Sequence, residues 1–193
     1  MSVYTEEEIL AGCRKGKKVF QEELYKTYYS PLLKVCVRYV RNMEDAKQLL
    51  NDGFLKIFHS IGSFKNNGSF AGWMRKIMVN TCLDHLRGTA LKTEMTVHVF
   101  HVPMEEQGPS VMNTGLDNIE FKQLVTYIQE LPAMTRTVFN LFAFEGMNHR
   151  EISEQLEISE GTSHWHLHQA RGQLQKRIKQ SEQKKIYYEA GRI

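Results

Sequence analysis

The stretch ISEGTSHWHLHQARGQL, residues 158–174, decides the fold because it contains two competing periodicities. Histidines stand at every second position from 164 to 168, a spacing that would fit a half-exposed strand. A longer row instead follows the helical period and gathers within an arc of about 80° at about 100° per residue. Its members are Ser163, Leu167, Ala170, Leu174 and Ile178. We therefore predict a helix whose inner face is this row.

The opposite side of this helix predicts a surface that reads DNA. It carries His164, Trp165, His168 and Gln169, with Arg171 at its margin. A preceding short helix, HREISEQL, has apolar residues at matching spacing, and the turn EISE joins the two in a helix-turn-helix layout. Imidazole, indole and amide groups can contact base edges. Because histidine is mostly neutral near pH 7, phosphate attraction is expected to be weak and pH-dependent.

Two other interpretations of the histidines are open. His164 and His168, one helical turn apart, could chelate a metal, but no third ligand is adjacent, and Cys82 and His85 belong to another predicted domain. The histidines could also be exposed to solvent on the surface of the helix and bind nothing, as is common for exposed polar residues. We predict no metal and no cofactor.

Helix signals dominate the rest of the chain, which predicts an all-α fold. Thr5 with Glu8 forms a capping box, Asn42 and Ser69 can cap later helices, and Pro31 predicts the start of a new helix. From residue 89 to 117 the helical period fades among prolines and glycines. We expect two small helical domains joined by an irregular linker.

Charge follows the same division. Residues 1–88 hold 14 Lys/Arg against 9 Asp/Glu, residues 89–117 hold 1 against 4, and residues 118–193 hold 10 against 9. The predicted parts are a basic domain at 1–88, an acidic flexible linker at 89–117, a helix-turn-helix domain at 118–180, and a tail at 181–193 without an assigned function.

Several classes of protein are disfavoured by what the sequence contains. Three cysteines at unrelated spacings predict reduced, buried thiols and a cytoplasmic protein rather than a disulfide framework. The acidic start and the lack of a long apolar run argue against secretion and membrane insertion. We expect no catalysis, because the sequence has no nucleophile beside a base and no phosphate-cradling glycine loop.

A second candidate surface lies on the helix FAGWMRKIMVNTCLDHLR, residues 70–87. Trp73, Lys76, Asn80, Asp84 and Arg87 fall within about 80° of one helical face. An aromatic ring beside amide and cationic groups suits an unstacked base of single-stranded DNA. The alternatives are that Asp84 only pairs with Arg87 and that Trp73 belongs to the core.

Three blocks in order give the chain a specific resemblance. They are EDAKQLLNDGFLKIFHSIGSF, GSFAGWMRKIMVNTCLDHLR, and LPAMTRTVFNLFAFEGMNHREISEQLEISEGTSHWHLHQARGQL. Together they resemble the extracytoplasmic-function (ECF) sigma factors of the bacterial sigma-70 family. The resemblance implies a factor that directs core RNA polymerase to promoter DNA and opens it, with an anti-sigma factor as a further partner.

The resemblance also implies which residues make the contacts. Residues carried over to the polymerase clamp are Asp45, Gln48, Leu49, Asp52 and Leu55, although both leucines could equally be core. Residues carried over to the single-stranded −10 element are Phe64, Lys65, Asn66, Trp73, Lys76, Asn80 and Arg87. Residues carried over to the −35 duplex are Arg150, Thr162, His164, Trp165, His168, Gln169 and Arg171.

The chain departs from the family in its recognition helix. It lacks the usual Arg/Lys cluster, and Glu157 stands where the turn commonly has glycine, so a left-handed residue there would be strained. A rival interpretation is a helix-turn-helix regulator that acts without polymerase, with its N-terminal half serving as a dimerisation or sensor domain.

Overall fold

The computed structural model describes residues 4–65, 68–93 and 119–190, with side chains over 4–65, 68–88 and 122–183. All regular structure in these ranges is helical, which confirms the predicted all-α class. The chain divides into two compact units, residues 1–118 and residues 119–193. None of the described helices is long and apolar enough to cross a membrane.

Within residues 4–65 and 68–93, the first unit forms a bundle of four helices. These are α1 (Glu6–Arg14), α2 (Lys18–Cys36), α3 (Met43–Ser60) and α4 (Phe70–Thr93), with a 3-10 turn at Ile61–Ser63. Helices α2, α3 and α4 pack against one another around a shared core. Its fully buried side chains include Leu24, Tyr39, Leu50, Phe54, Ile57, Met74 and Met78. This core holds the exposed faces of α3 and α4 in fixed positions.

The predicted caps begin these helices as expected. The Thr5 side chain accepts a hydrogen bond from the Glu8 backbone N–H, and the Glu8 carboxylate accepts one from the Thr5 N–H. Asn42 caps α3 by accepting from the Asp45 N–H at 2.7 Å, and Ser69 accepts from the Gly72 N–H at 3.2 Å. Each side chain satisfies a backbone donor that has no partner within its helix.

The predicted helix start at Pro31 is wrong, because α2 runs through this residue to Cys36. Proline removes one backbone hydrogen bond and costs about 3 kcal/mol within a helix. Pro31 lies on the exposed side, while Leu24, Leu32 and Val35 are buried on the inner side. Burial of three aliphatic side chains, at about 1.5–3 kcal/mol each, outweighs the lost bond.

Gly53 explains how α3 approaches α4 so closely. A Cβ added at this glycine would lie only 2.5 Å from both Sδ and Cε of Met78. The glycine therefore makes room for the buried Met78 side chain, which offsets the helix propensity lost relative to alanine.

The second unit contains α5 (Ile119–Glu130), α6 (Ala133–Ala143), α7 (His149–Leu156) and α8 (Glu160–Ala190). Helices α6 and α7 both pack on α8. The helical row predicted for α8 is buried at Ser163, Leu167, Ala170 and Leu174, but Ile178 is 39% exposed. The prediction fails at Ile178, whose side chain remains partly in solvent although the neighbouring Arg177 pairs with Glu130 of α5 at 2.7 Å.

The last helix of each unit continues further along the chain than the sequence predicted. Helix α4 continues to Thr93, so residues 89–93 of the predicted linker are helical, and residues 94–117 lie outside the described residues. Helix α8 continues to Ala190 and includes most of the predicted tail. Residues 181–190 consist largely of good helix formers, with no glycine before Gly191 and no proline.

The turn between α7 and α8 carries the strain expected at Glu157, whose φ of 56° and ψ of 41° are left-handed. For an L-residue with a side chain, this conformation is about 1–2 kcal/mol less favourable than a right-handed one, whereas glycine adopts it without that penalty. We expect Glu157→Gly to raise the free energy of unfolding of the second unit by about 0.5–1 kcal/mol, since the more flexible unfolded chain cancels part of the gain. Thermal unfolding should then occur roughly 2–8 °C higher.

Gly146 provides the matched control for this prediction. Its φ is +70°, and a Cβ added there would meet no atom within 4 Å. Gly146→Ala should therefore lower the unfolding temperature through backbone conformation alone. An unfolding temperature for Glu157→Gly at or below that of the wild type would show that the glutamate is not strained.

Candidate functional sites

One face of α3 leaves an apolar side chain in solvent beside polar groups. Gln48, Asp52 and Leu55 are exposed on this face, and Leu55 is 57% exposed. Asp45, at the start of the same row, is half-buried and accepts a hydrogen bond from the Asn42 Nδ2 at 2.8 Å. We call Asp45, Gln48, Asp52 and Leu55 the α3 face.

Leu49 was carried over to the polymerase clamp with core packing left open as the alternative, and the structure places it in the core. Its side chain is 2% exposed and belongs to the core of the first unit. Helical spacing alone does not distinguish an apolar residue that faces the core from one that faces a partner. Leu55, six residues further along α3, lies about 120° around the helix from Leu49 at about 100° per residue and is exposed.

Two aromatic rings, Phe64 and Trp73, line a cavity beside the start of α4, and Phe70 packs behind them. Trp73 stacks on Phe70, with ring centroids 5.8 Å apart and planes at 16°, and it lies 5.4 Å from the Phe64 centroid. The cavity measures about 450 Å³, and Lys65 and Lys76 line it together with Phe64 and Trp73. We call Phe64, Phe70, Trp73, Lys65 and Lys76 the aromatic pocket.

The rings of the aromatic pocket differ in exposure. Phe64 and Phe70 are buried, whereas Trp73 is half-buried and both lysines are exposed. Phe64, predicted to contact the −10 element, is 8% exposed, lines the cavity and packs against Trp73. The Phe64 carbonyl accepts a hydrogen bond from the Arg14 guanidinium, which ties this segment to α1. The arrangement leaves the indole as the ring on which a base could stack.

The remaining residues of the predicted α4 surface have distinct surroundings. Asn80 is exposed. Asp84 bridges two cations, with its carboxylate 2.9 Å from Lys56 Nζ and 3.6 Å from Arg87 Nη1. Arg87 therefore has the ion-pair partner that the sequence left open as an alternative. The predicted contact Asn66 lies outside the described residues.

The outer side of α8 carries the residues predicted to read duplex DNA. His164, Trp165 and His168 are exposed, Gln169 is half-buried, and Trp165 is 56% exposed. We call these four residues the recognition face. An indole so exposed, on a helix presented by a helix-turn-helix, is available to pack against thymine methyl groups.

The flanking residues of α8 and α7 complete this surface. Thr162 is half-buried, and its hydroxyl lies 2.8 Å from the Ser159 Oγ at the helix start. Arg150 is exposed and pairs with Glu154 at 3.2 Å. Arg171 is exposed, with its guanidinium carbon 5.4 Å from the Phe142 ring centroid. Both arginines stand at the margins of the recognition face.

His166 does not belong with the other two histidines of this stretch. It is half-buried, and its Nδ1 lies 3.0 Å from the Thr135 Oγ1 on α6. Burial lowers the pKa of His166 below its ordinary value. Of the three alternating imidazoles, only His164 and His168 are therefore exposed toward a ligand.

His149, the first residue of α7, was missed by the sequence analysis. Its ring stacks on His164, with centroids 3.5 Å apart and planes at 26°, and its Nδ1 lies 2.9 Å from the Ser163 Oγ. Burial, then His164, then Arg171 lower the pKa of His149, and Glu160 partly opposes them. No periodic signal marks this residue, because its partners lie 14 and 15 residues further along the chain.

These two lowered pKa values predict how the stability of the second unit depends on pH. His149 and His166 favour the neutral imidazole in the folded state, so the unfolded chain binds protons first. The two neutral histidines should make their full contribution to the free energy of unfolding above pH 6.5, which is about the pKa of histidine in the unfolded chain. This contribution should decline as the pH falls below about 6.5 toward the lower pKa values of the folded state. The unfolding temperature should therefore decrease between about pH 7.5 and pH 5.5.

A double variant isolates the histidine contribution from that of the carboxylates. His149→Phe with His166→Gln should flatten the decrease in unfolding temperature, whereas His168→Gln, at an exposed position, should leave it unchanged. An equal slope for the double variant and the wild type would assign the pH dependence to other groups.

The structure also shows where the three cysteine thiols lie. Cys13, Cys36 and Cys82 are free and buried, as the sequence predicted, and burial raises the pKa of the Cys13 thiol to about 11.

Among the side chains that the structure describes, no three His, Cys, Asp or Glu residues are grouped to hold a metal ion. His164 has His149 as its stacking neighbour rather than a set of ligands.

Both units match models of one family. Residues 24–91 match the model described as Sigma-70 region 2, and residues 121–174 match the model described as Sigma-70, region 4. The aromatic pocket and the α3 face lie within the first match. The recognition face lies within the second.

Curated relatives cover nearly the whole chain. The RNA polymerase sigma-H factor of Pseudomonas aeruginosa is 24% identical over 182 residues, which cover 90% of this chain and 93% of that protein. The ECF RNA polymerase sigma factor SigW of Bacillus subtilis is 24% identical over 173 residues, covering 86% and 92%. The ECF RNA polymerase sigma factor SigM of Mycobacterium tuberculosis is 26% identical over 168 residues, covering 86% and 81%.

A solved structure shares the fold. The sigma factor RpoE from Bartonella quintana, crystallised in complex with the anti-sigma factor NepR, aligns with a TM-score of 0.53 at 17% identity, over 82% of this chain and 96% of that one. Two family models in the expected order and relatives that span the chain agree with the three blocks of sequence. The chain belongs to the ECF group of the sigma-70 family, and it is a non-enzymatic initiation factor that directs RNA polymerase to promoters.

Proposed function

We propose that the two units divide promoter recognition, with residues 1–88 binding polymerase and opening the −10 element, and residues 118–180 binding the −35 duplex. The observation that carries this proposal is the contrast between their exposed surfaces. The first unit offers an aromatic cavity flanked by lysines, and the second offers a polar helix face. Stacking in a cavity suits single strands, while a helix face fits a major groove.

The α3 face is the proposed contact with the polymerase clamp. Asp52 and Asp45 provide negative charge for a basic partner helix, and Leu55 provides apolar area that is exposed in the free chain. Burial of such a leucine contributes about 1.5–3 kcal/mol. Charge steers the encounter, and the leucine supplies much of the affinity.

The aromatic pocket is the proposed site for an unstacked base of the −10 element. Trp73 would stack on the base, and Lys65 and Lys76 would neutralise neighbouring phosphates. Asn80, exposed one turn beyond Lys76, would contact the same strand through its amide. Arg87 would bind the DNA backbone only if the phosphate displaced its ion pair with Asp84.

The recognition face is the proposed contact with the −35 duplex. His164, His168 and Gln169 offer donors and acceptors to base edges, and Trp165 offers apolar area. Arg150 and Arg171 would bind phosphates and fix the register of the helix. Thr162, at the start of α8, would add a hydroxyl contact to the backbone.

The remaining partners follow from the family. We propose that the acidic linker runs along a basic channel of polymerase, and that an anti-sigma factor restrains the protein, as the Bartonella quintana RpoE–NepR complex illustrates for that relative. A factor that acts with RNA polymerase would work in the bacterial cytoplasm.

Copurification and transcription test this proposal against a regulator that acts without polymerase. The full chain should bind core RNA polymerase and should support transcription in vitro from start sites that core polymerase alone ignores. A chain that bound duplex DNA but neither bound core polymerase nor changed its start sites would favour the regulator.

A further inference from the structure

A stack of four side chains from three helices supports one residue of the recognition face. His164 on α8 stacks on His149 of α7, and the ring centroid of His149 lies 5.1 Å from that of Phe142 on α6. The guanidinium of Arg171 lies over Phe142 in turn. We call His164, His149, Phe142 and Arg171 the aromatic column.

His149 is held in this column from more than one direction. Its Nδ1 makes a 2.9 Å hydrogen bond with Ser163, which is fully buried between α7 and α8. The backbone before it is fixed by the Asn148 capping box, in which the Glu151 carboxylate accepts from the Asn148 N–H at 2.8 Å. A rotation of the His149 ring would lose both the hydrogen bond and the stack.

This fixed ring limits the orientations open to His164. An exposed histidine on a helix can adopt several side-chain rotamers, and fixing one on binding costs affinity. The face of His164 that touches His149 is already covered, so its ring nitrogens project in a defined direction before DNA arrives. Trp165 differs, since its described ring contact is an edge-on approach to His166 at 4.8 Å.

We propose that His149 is a positioning residue for −35 recognition, which orients the His164 imidazole toward a base edge from outside the recognition helix. This inference rests on the proposed contact between the recognition face and the −35 duplex. The serine at position 163 has a function in this arrangement, because an apolar residue there could not hold the His149 ring by a hydrogen bond.

The test is a profile of base preference rather than a single affinity. Holoenzyme assembled from core polymerase and the full chain selects duplexes from a randomised pool, and every single base-pair substitution of the selected −35 site is then measured. His164→Ala identifies the base pairs whose discrimination depends on that imidazole, and Trp165→Ala identifies those read by its neighbour.

His149→Leu should reduce discrimination about threefold to tenfold at the base pairs identified by His164→Ala, and leave those identified by Trp165→Ala unchanged. His149→Phe keeps a flat ring against His164 and should retain most of the discrimination. His149→Gln can still bond Ser163 but cannot stack, so it should behave like the leucine variant and replaces it if that variant does not fold.

Two results would overturn the inference, and they differ from a failure of the proposed −35 contact. A uniform loss of affinity at all positions for His149→Leu and His149→Gln would assign His149 a purely structural role. An unchanged profile for both, while His164→Ala alters it, would show that His164 needs no support. If neither His164→Ala nor Trp165→Ala alters any position, the proposed −35 contact itself fails and the inference fails with it.

Discussion

Replacement of Trp73 by alanine is expected to slow promoter opening about fivefold to a hundredfold, because base–aromatic stacking contributes about 1–3 kcal/mol per base. Trp73 is the half-buried ring of the aromatic pocket, supported by Phe70 and Phe64. Once it is removed, the cavity keeps its lysines but loses the surface on which an unstacked base rests. Binding to closed duplex should change by less than about twofold, since stacking requires an unpaired base.

The two tryptophans of the chain allow a reciprocal experiment. Opening is measured by the rate of open-complex formation with holoenzyme, and duplex binding by affinity for a −35 fragment that cannot melt. Trp165→Ala should weaken duplex binding and leave melting of a preformed −10 fork intact. Trp73→Phe keeps a flat ring and should retain most of the opening rate. Equal losses for Trp73→Ala in both assays would contradict the stacking assignment.

Two leucines on α3 are expected to separate polymerase binding from folding. Leu55→Asp should weaken binding to core polymerase about tenfold or more, because it removes roughly 1.5–3 kcal/mol of apolar burial from the interface. Its unfolding temperature should remain near that of the wild type, since Leu55 is 57% exposed. Leu49→Ala should instead destabilise the first unit by about 2–5 kcal/mol, because Leu49 is 2% exposed.

Val19 serves as the matched surface control, since it is 58% exposed and belongs to α2 rather than to the α3 face. Val19→Asp should leave both core-polymerase affinity and unfolding temperature close to the wild-type values. Affinity is measured by competition with the unmodified factor, and stability by thermal unfolding of the free chain. Equal affinity of Leu55→Asp and the wild type for core polymerase would remove Leu55 from the interface.

Periodicity predicted the recognition helix because its two faces differ in chemistry. Leu167, Ala170 and Leu174 are buried, and His164 and Trp165 are exposed, as spacing alone indicated. The local caps at Thr5, Asn42 and Ser69 were predicted for a similar reason. Each of these features depends on residues within a few positions of one another.

The sequence alone did not determine which residues are buried or in contact where this depends on packing between distant parts of the chain. Leu49 and Leu55 lie about 120° apart around α3, and the packing of α2 and α4 covers the face that carries Leu49. Pro31 was accommodated within α2 because side chains on the opposite side of that helix are buried. His149 has no local signature, because its function depends on a stack across two helices.

Strand opening by the assembled holoenzyme tests the central claim most directly. Core polymerase is combined with the full chain on a promoter selected by that holoenzyme, and unpaired thymines are mapped by permanganate reactivity. We expect reactive thymines around the −10 element and protection of the upstream −35 duplex, with the reactivity appearing more slowly for Trp73→Ala and the protection weakened for Trp165→Ala. Fully paired strands in the presence of core polymerase and the wild-type chain would contradict the account.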